Sequence, residues 1–397
     1  MTMKGYIPSN RAYWMVVLSL GFASMFIFTV MYSIQPLLPL YTEEFGVSIS
    51  ASSLTMSLPT ISLIAGLIIL GFLSDRHGRV LFIKLSILLS LITFLCIPFT
   101  HSFTMIAAIR FIQGFMLAGV PAAALAYIAE EVDAKHSALA TAFYISCNAL
   151  GGMIGRVVTA YIAEYQSWQH AIIYLSVFGL FVLIFVSYFL PKSRNFAPGN
   201  RTLKNDFQGF YRHMKNPMLL LMFGLGITLQ MSFTGMWTYL PFHLTGPPYS
   251  MSLEAISSLY FAYGLGIIGA PTASYLSNRF SLYFLRNTAI GIFLVGLVLT
   301  LSHSMIGVVI GLGITCFGFF TAHSLTASTV SSTAETQKGL ASSLYLVSYY
   351  VGVASGSTLL SPIWSWFNWN GLVTFTIIIP LLYTIFLHYS MKKRASR

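Results

Sequence analysis

Acidic residues are scarce in this chain. Ten Asp and Glu stand against 21 Lys and Arg over 397 residues, and all charged residues together make up 8% of the sequence. A soluble domain carries about 25%, so an ordinary water-facing surface is excluded. Cysteine is nearly absent as well. Cys96, Cys147 and Cys316 fall in separate apolar runs with no paired spacing, which argues against a disulfide framework and a zinc site alike. They read as packing residues. No H-E-x-x-H, no G-x-S-x-G and no close grouping of histidines occurs, so the expectation is no enzyme, no resident metal and no cofactor.

What the chain has instead is apolar length. Hydrophobic residues make up 56% of it. Runs of about 20 residues, enough to cross a bilayer, recur twelve times, centred near Gly21, Ile61, Leu88, Leu117, Leu150, Gly179, Gly226, Gly264, Phe293, Gly313, Val351 and Ile378. The expected class is an all-α integral membrane protein, and an even number of spans puts both termini on one side. The N-terminus, the even-numbered junctions and the C-terminus then hold nineteen of the 21 basic residues, Arg76, Arg79, Lys84, Lys192, Lys204, Arg286 and Lys392 among them. The opposite loops hold none. That is the positive-inside pattern, so these ends are expected in the cytoplasm, and the net charge of +11 needs no nucleic acid to explain it. The first run is too long for a secretory signal and eleven more follow, so it is expected to stay attached.

Residues 1–190 and 217–397 each hold six spans. Between them, 191–216 is the longest polar segment, with six Lys or Arg against one Asp. Leu203, Phe207, Phe210, Tyr211 and Met214 recur there at helical spacing; an amphipathic helix on the inner leaflet and a plain solvated connector both fit. At an offset of 201, Leu139-Ala140, Tyr144, Gly151, Gly155 and Trp168 match Leu340-Ala341, Tyr345, Gly352, Gly356 and Trp369. Two pseudo-symmetric six-helix bundles are therefore expected.

The densest knot of charge lies between the second and third spans, in Gly71-Phe72-Leu73-Ser74-Asp75-Arg76-His77-Gly78-Arg79. Asp75 and Arg79 have a spacing at which opposite charges meet on a helical turn. Gly71 and Gly78 permit close backbone approach and a tight reversal. These residues resemble the signature between helices two and three of the major facilitator superfamily, G-x-L-a-D-R-x-G-R-k, and depart from it only at Val80. The resemblance implies a twelve-helix transporter in which Gly71, Asp75, Arg76, Gly78 and Arg79 form a gating latch, with Asp75 docking at the N-terminus of helix eleven. On the residues alone, a solvated turn with a surface ion pair fits equally. Ser277-Asn278-Arg279-Phe280-Ser281 is a faded second copy, with Asn in place of Asp75 and Ser in place of Gly78. Arg110-Phe111-Ile112-Gln113-Gly114 resembles the R-x-x-Q-G motif of the drug:proton antiporter branch. Asn148 to Arg156, as N-x-x-GG-x-x-GR, resembles the sugar- and metabolite-efflux branch instead and lacks the antiporter proline.

The candidate cavity residues follow from polar positions inside the spans. Tyr32 and Gln35 share a helix face and either line a cavity or anchor the outer interface. Arg110 lies about eight residues, roughly 12 Å, in from the outer end near Ser102; it faces inward with Gln113 or snorkels outward. Asn148, Gly152 and Arg156 form a stripe at four-residue steps, beside a seam of small residues at Gly151 and Gly155. Helix seven adds Gln230, Thr234 and Trp237, and helix ten adds His323 and Thr326. Glu130 and Asp133 are candidate partners for the latch.

Two interior arginines and no interior carboxylate favour an anionic or zwitterionic solute. The expected cargo is a small metabolite such as an aminocarboxylate metallophore, with multidrug or sugar and amino-acid efflux as alternatives. His323, about five residues from the inner end of helix ten, is the proton-coupling candidate by type, although a hydrogen-bonded packing histidine is the commoner role. The whole reads as a monomeric secondary transporter of the bacterial inner membrane with both termini cytoplasmic. It is expected to export its cargo by alternating access in antiport with protons. A membrane-embedded enzyme lacks its catalytic groups here, and a channel would not need duplicated halves.

Overall fold

The computed structural model describes residues 5–133, 135–196, 210–277, 279–334 and 338–395. Lys204, Leu203, Phe207 and Asn278 lie outside the described residues. Twelve helical spans follow in order: α1 (Arg11–Phe45), α2 (Ile49–His77), α3 (Arg79–Phe99), α4 (Phe103–Glu131), α5 (Ser137–Tyr165), α6 (Trp168–Phe189), α7 (Pro217–Thr245), α8 (Leu253–Ala273), α9 (Leu282–Leu299), α10 (Met305–Thr333), α11 (Lys338–Thr358) and α12 (Ser361–Ala395). Among the described residues, eleven of them are long and apolar enough to cross a membrane. The exception is α11, which has the length but is rich in Ser, Tyr and Gly.

Local chemistry sets the helix starts. Ser48, Ser167 and Ser281 each accept a main-chain hydrogen bond from the first turn of the helix they precede. Asn216 does the same for two N–H groups ahead of Pro217, whose fixed φ suits a first helical residue. The prolines after Tyr32 bend α1 without ending the span. A 3₁₀ turn at Gln35–Leu37 interrupts it, and a second helical segment resumes at Leu38–Phe45. A comparable turn at Tyr260–Ala262 breaks α8, and α12 is kinked at Asn368, where φ is +53°.

The described residues fall into two compact units, one within Met1–Asn200 together with Met251–Ser258, the other within Arg201–Ser250 and Leu259–Arg397. Inside the first, α1 packs on α5 and α6, α2 on α4, and α3 on α4 and α6. Inside the second, α7 packs on α11 and α12, α8 on α10, and α9 on α10 and α12. The pairings correspond helix by helix. The glycine seams explain the closest of them. A Cβ on Gly155 would lie 2.5 Å from the Thr29 carbonyl of α1, and one on Gly352 would lie 2.7 Å from the Ile227 carbonyl of α7, so α5 and α11 meet their partners backbone to backbone. Thr29 Oγ1 uses that approach to donate to the Gly151 carbonyl at 3.0 Å.

Apolar side chains such as Ile61, Leu81, Ile92, Phe181 and Leu382 face outward, while Ser and Thr hydroxyls are buried and bonded to main-chain carbonyls, Ser86 to Met116 at 2.6 Å for example. That is the distribution a lipid solvent selects. At one end of the first unit, residues near the N-terminus and residues leaving α6 are tied to the same turn. Tyr6 bridges Val132 in parallel, its N–H donating to the Glu131 carbonyl and its carbonyl accepting from Asp133. Glu131 Oε1 accepts the N–H groups of Arg194 and Asn195 at 2.6 and 2.8 Å, and Tyr127 donates to the Pro191 carbonyl. The Arg194 guanidinium lies over the Tyr6 ring. Burial pushes the Tyr6 phenol above its ordinary pKa, with Arg194 pulling it down and Glu131 adding to the rise.

Candidate functional site

The charged knot is built on a helix break. α2 ends at His77, and Gly78 takes φ +103°, a conformation that side-chain-bearing residues avoid. Arg79 then opens α3 with its guanidinium folded back. It pairs with Asp75, donates to Ser74 Oγ at 3.0 Å, and reaches Glu130 Oε1 on α4 at 2.9 and 3.2 Å. Arg79 is 8% exposed while Asp75 is half exposed, so the pair spans the bend between two helices with its acid open to solvent. Arg76 is exposed. Gly71 differs from the expectation of close approach: the space its Cβ would fill is open. In the faded second copy Ser281 has φ −66° and caps α9, so that junction has no need of a glycine. Asp133, the other candidate acid, pairs with His136 at 3.3 Å.

Arg110 is wholly buried on α4, and its acceptors come from two broken helices. Pro59 lies inside α2 and has no N–H, which strands the Thr55 carbonyl four residues earlier; Arg110 Nε donates to it at 3.0 Å. The interruption of α1 after Tyr32 likewise leaves the Val30 and Met31 carbonyls for the two terminal nitrogens, at 3.1 and 2.9 Å. Gln113 Oε1 accepts at 2.5 Å. Gly114 completes the motif, because a Cβ there would collide with the Pro59 backbone. Arg110 and Gln113 thus face inward, held by neutral dipoles.

Arg156 on α5 is 3% exposed and Gln35 1%. Arg156 donates through Nε to Gln35 Oε1 at 2.6 Å and through Nη1 to the Gly152 carbonyl at 2.8 Å, with its guanidinium 4.0 Å over the Tyr32 ring. Tyr32, Gln35, Gly152 and Arg156 therefore form one interior cluster and not a belt at the membrane surface. Asn148 lies half-buried on the same stripe, its Oδ1 without a hydrogen-bond partner among the described residues.

In the second unit Gln230 donates to Thr234 at 2.8 Å. Trp237, fully buried, stacks on Tyr260 at 5.2 Å. Phe233, one turn away, stacks on Phe319 at 4.0 Å, Phe319 faces His323 at 5.8 Å, and His323 Nδ1 meets the Tyr345 hydroxyl at 2.9 Å. A column of rings thus joins the polar faces of α7 and α10. Sequence reading missed Phe233, Phe319 and Tyr345, since aromatic residues at helical spacing are indistinguishable from ordinary core. It also placed His323 too near the helix end: α10 runs on to Thr333, so the imidazole is about 15 Å deep at the helical rise. Arg286, counted above with the surface cations, is 1% exposed inside the unit. Among the described residues no three His, Cys, Asp or Glu side chains come together as a metal site.

Two duplicated six-helix halves with cations buried in their interiors define a membrane transporter. The sequence model described as Major Facilitator Superfamily matches residues 20–357. An uncharacterized transporter of Buchnera aphidicola is 32% identical over 385 residues, covering 97% of this chain and 93% of its own length. The inner membrane transport protein YnfM of Escherichia coli is 32% identical over 376 residues, covering 94% and 90%. Among solved structures, a bacterial homolog of the human lysosomal transporter Spinster, inward-facing and unoccupied, superposes with a TM-score of 0.78 at 14% identity, covering 95% of this chain and 96% of that one. The chain belongs to the major facilitator superfamily. It is a multi-pass secondary transporter of small molecules and not an enzyme.

Proposed function

We propose that this transporter exports a small anionic or zwitterionic metabolite, with an aminocarboxylate metallophore as the type, from the bacterial cytoplasm in exchange for protons. The observation that carries the reading is the chemistry around Arg110. Its acceptors are three main-chain carbonyls and one amide oxygen, so a full positive charge persists in the first unit, and no Asp or Glu occurs within its spans away from their ends. Arg156, in contact with Gln35 and the Gly152 carbonyl, brings a second guanidinium to that interior. Such an interior attracts carboxylates and repels lipophilic cations. His323, an interior imidazole within hydrogen-bond reach of the Tyr345 hydroxyl, is the proposed proton carrier. Asp75, Arg76 and Arg79 are the proposed gate of an alternating-access cycle in the inner membrane, run by a monomer with cytoplasmic termini.

The test compares small molecules in spent medium from cells with and without the protein, followed by uptake of the enriched anion into inside-out vesicles under an imposed pH gradient. Arg110→Ala and Arg156→Ala are expected to lower that uptake at least tenfold. Undiminished transport of every anionic candidate would sink the reading, and an unchanged proton ratio in His323→Gln would remove the histidine from coupling. A second reading, drug efflux, draws on the ring column of Trp237, Phe233, Phe319 and Tyr345, and enrichment of flat neutral compounds in the medium would favour it.

A further inference from the structure

The buried arginines of this transporter are not equally satisfied. Arg110 spends its donors on four acceptors, and Arg79 has two carboxylates. Arg286, on the second turn of α9, is 1% exposed and fares worse. Its Nη1 reaches the Met222 thioether at 3.2 Å and the Thr329 hydroxyl at 3.4 Å. Its Nε and Nη2 are buried with no hydrogen-bond partner among the described residues. A thioether is a weak acceptor, and Thr329 Oγ1 gives its own proton to the Leu325 carbonyl at 2.8 Å, leaving only lone pairs for the guanidinium. A guanidinium is always charged and offers five N–H groups in a fixed fork, so burying it this way is costly unless something anionic completes it.

That anion is not supplied by the described part of the second unit. From residue 201 onward the sequence holds three acids, Asp206, Glu254 and Glu335. Glu254 sits in the first turn of α8, and α8 runs about 20 residues, roughly 30 Å, before the chain turns into α9. Asp206 and Glu335 lie outside the described residues. The surroundings otherwise suit an oxyanion. Tyr283 presents its ring to the guanidinium at 5.6 Å.

We propose that Arg286, with Thr329 and Tyr283 beside it, is an oxyanion-binding subsite in the C-terminal unit, taking one carboxylate or phosphate group through the Nε and Nη2 edge. Nε and Nη2 form one edge of a planar fork that can hold an oxyanion by two parallel bonds, which a lysine cannot reproduce. The proposal rests on the anion-export reading only for the statement that the oxyanion belongs to cargo; the subsite itself stands on the unfilled donors.

The experiment follows thermal unfolding of the full chain in nanodiscs titrated with iminodiacetate, with inorganic phosphate and with sodium chloride as the ionic control. It is run in zwitterionic lipid and in lipid containing phosphatidylglycerol. Wild type is expected to be stabilised by iminodiacetate or phosphate beyond the chloride control, with at least a tenfold weaker apparent affinity in Arg286→Gln and a partial loss in Arg286→Lys. Stabilisation that appears only with phosphatidylglycerol and disappears in Arg286→Gln assigns the oxyanion to a lipid headgroup. An undiminished anion response in Arg286→Gln overturns the subsite while leaving anion export intact. If wild type ignores all the anions, and the destabilisation caused by Arg286→Gln disappears in the Asp206→Asn or the Glu335→Gln background, the partner is internal and the subsite is refuted. Loss of the response in Arg156→Ala alone, with Arg286→Gln normal, places binding wholly in the first unit and likewise refutes it.

Discussion

The arrangement of Arg110 and Pro59 makes a quantitative forecast. Arg110→Lys keeps the charge but cannot serve carbonyls on two helices and an amide at once. Charge-assisted bonds are worth about 1.5–3 kcal/mol each, and removing the geometry of a buried charged group typically costs about 3–5 kcal/mol. Relaxation recovers part of that, so a loss near 3 kcal/mol is expected. Pro59→Ala changes the sum, because the restored N–H can bond the Thr55 carbonyl within α2, the acceptor that Arg110 Nε now satisfies at 3.0 Å. In the Pro59→Ala background the lysine substitution should therefore cost about 1–1.5 kcal/mol less. The assay is reversible unfolding in mixed micelles, read by tryptophan fluorescence, on the wild type, both single variants and the double variant. Additivity within about 0.5 kcal/mol would refute the claim that the arginine repairs the proline's damage.

Two further expectations concern glycines. Gly78→Ala should destabilise by about 1–3 kcal/mol through its positive φ, while Gly71→Ala, in open space on the same helix, should be neutral or stabilising by up to about 1 kcal/mol; a thermal melt of each decides. Gly155→Ala and Gly356→Ala press a methyl group into the α1 and α7 backbones respectively, so both should cost about 1–3 kcal/mol, and a large inequality between them would contradict equivalent seams in the two units.

Much of the fold was legible because lipid imposes simple rules. Span length, the Gly151 and Gly155 seam and its copy at Gly352 and Gly356 depend only on composition and periodicity, and the helices lie where those patterns put them. The Asp75–Arg79 pair was legible too, though the structure forms it across a bend rather than along one helix. What stayed hidden depends on partners far away in sequence. Arg286 looked like one more cation near a helix end, since nothing local reveals that Met222 and Thr329 close over it. The acceptors of Arg110 were invisible for the same reason: the carbonyls that α1 and α2 lose at their interruptions matter only once α4 lies beside both. His323, expected about five residues from the inner end of helix ten, lies deeper because the Ser- and Thr-containing run after it continues the helix to Thr333.

The knot joining Tyr6, Glu131 and Arg194 also bears on how the chain is made. The segment ahead of α1 finds its seat beside a turn more than a hundred residues later, and that turn is clamped in place by main-chain groups beyond α6. The first bundle therefore cannot lock until the residues just beyond α6 have left the ribosome. Until then the segment ahead of α1 must wait at the membrane unseated, and a side chain in place of Gly5, where a Cβ would fall against the Asp133 backbone, would delay or block that final fastening.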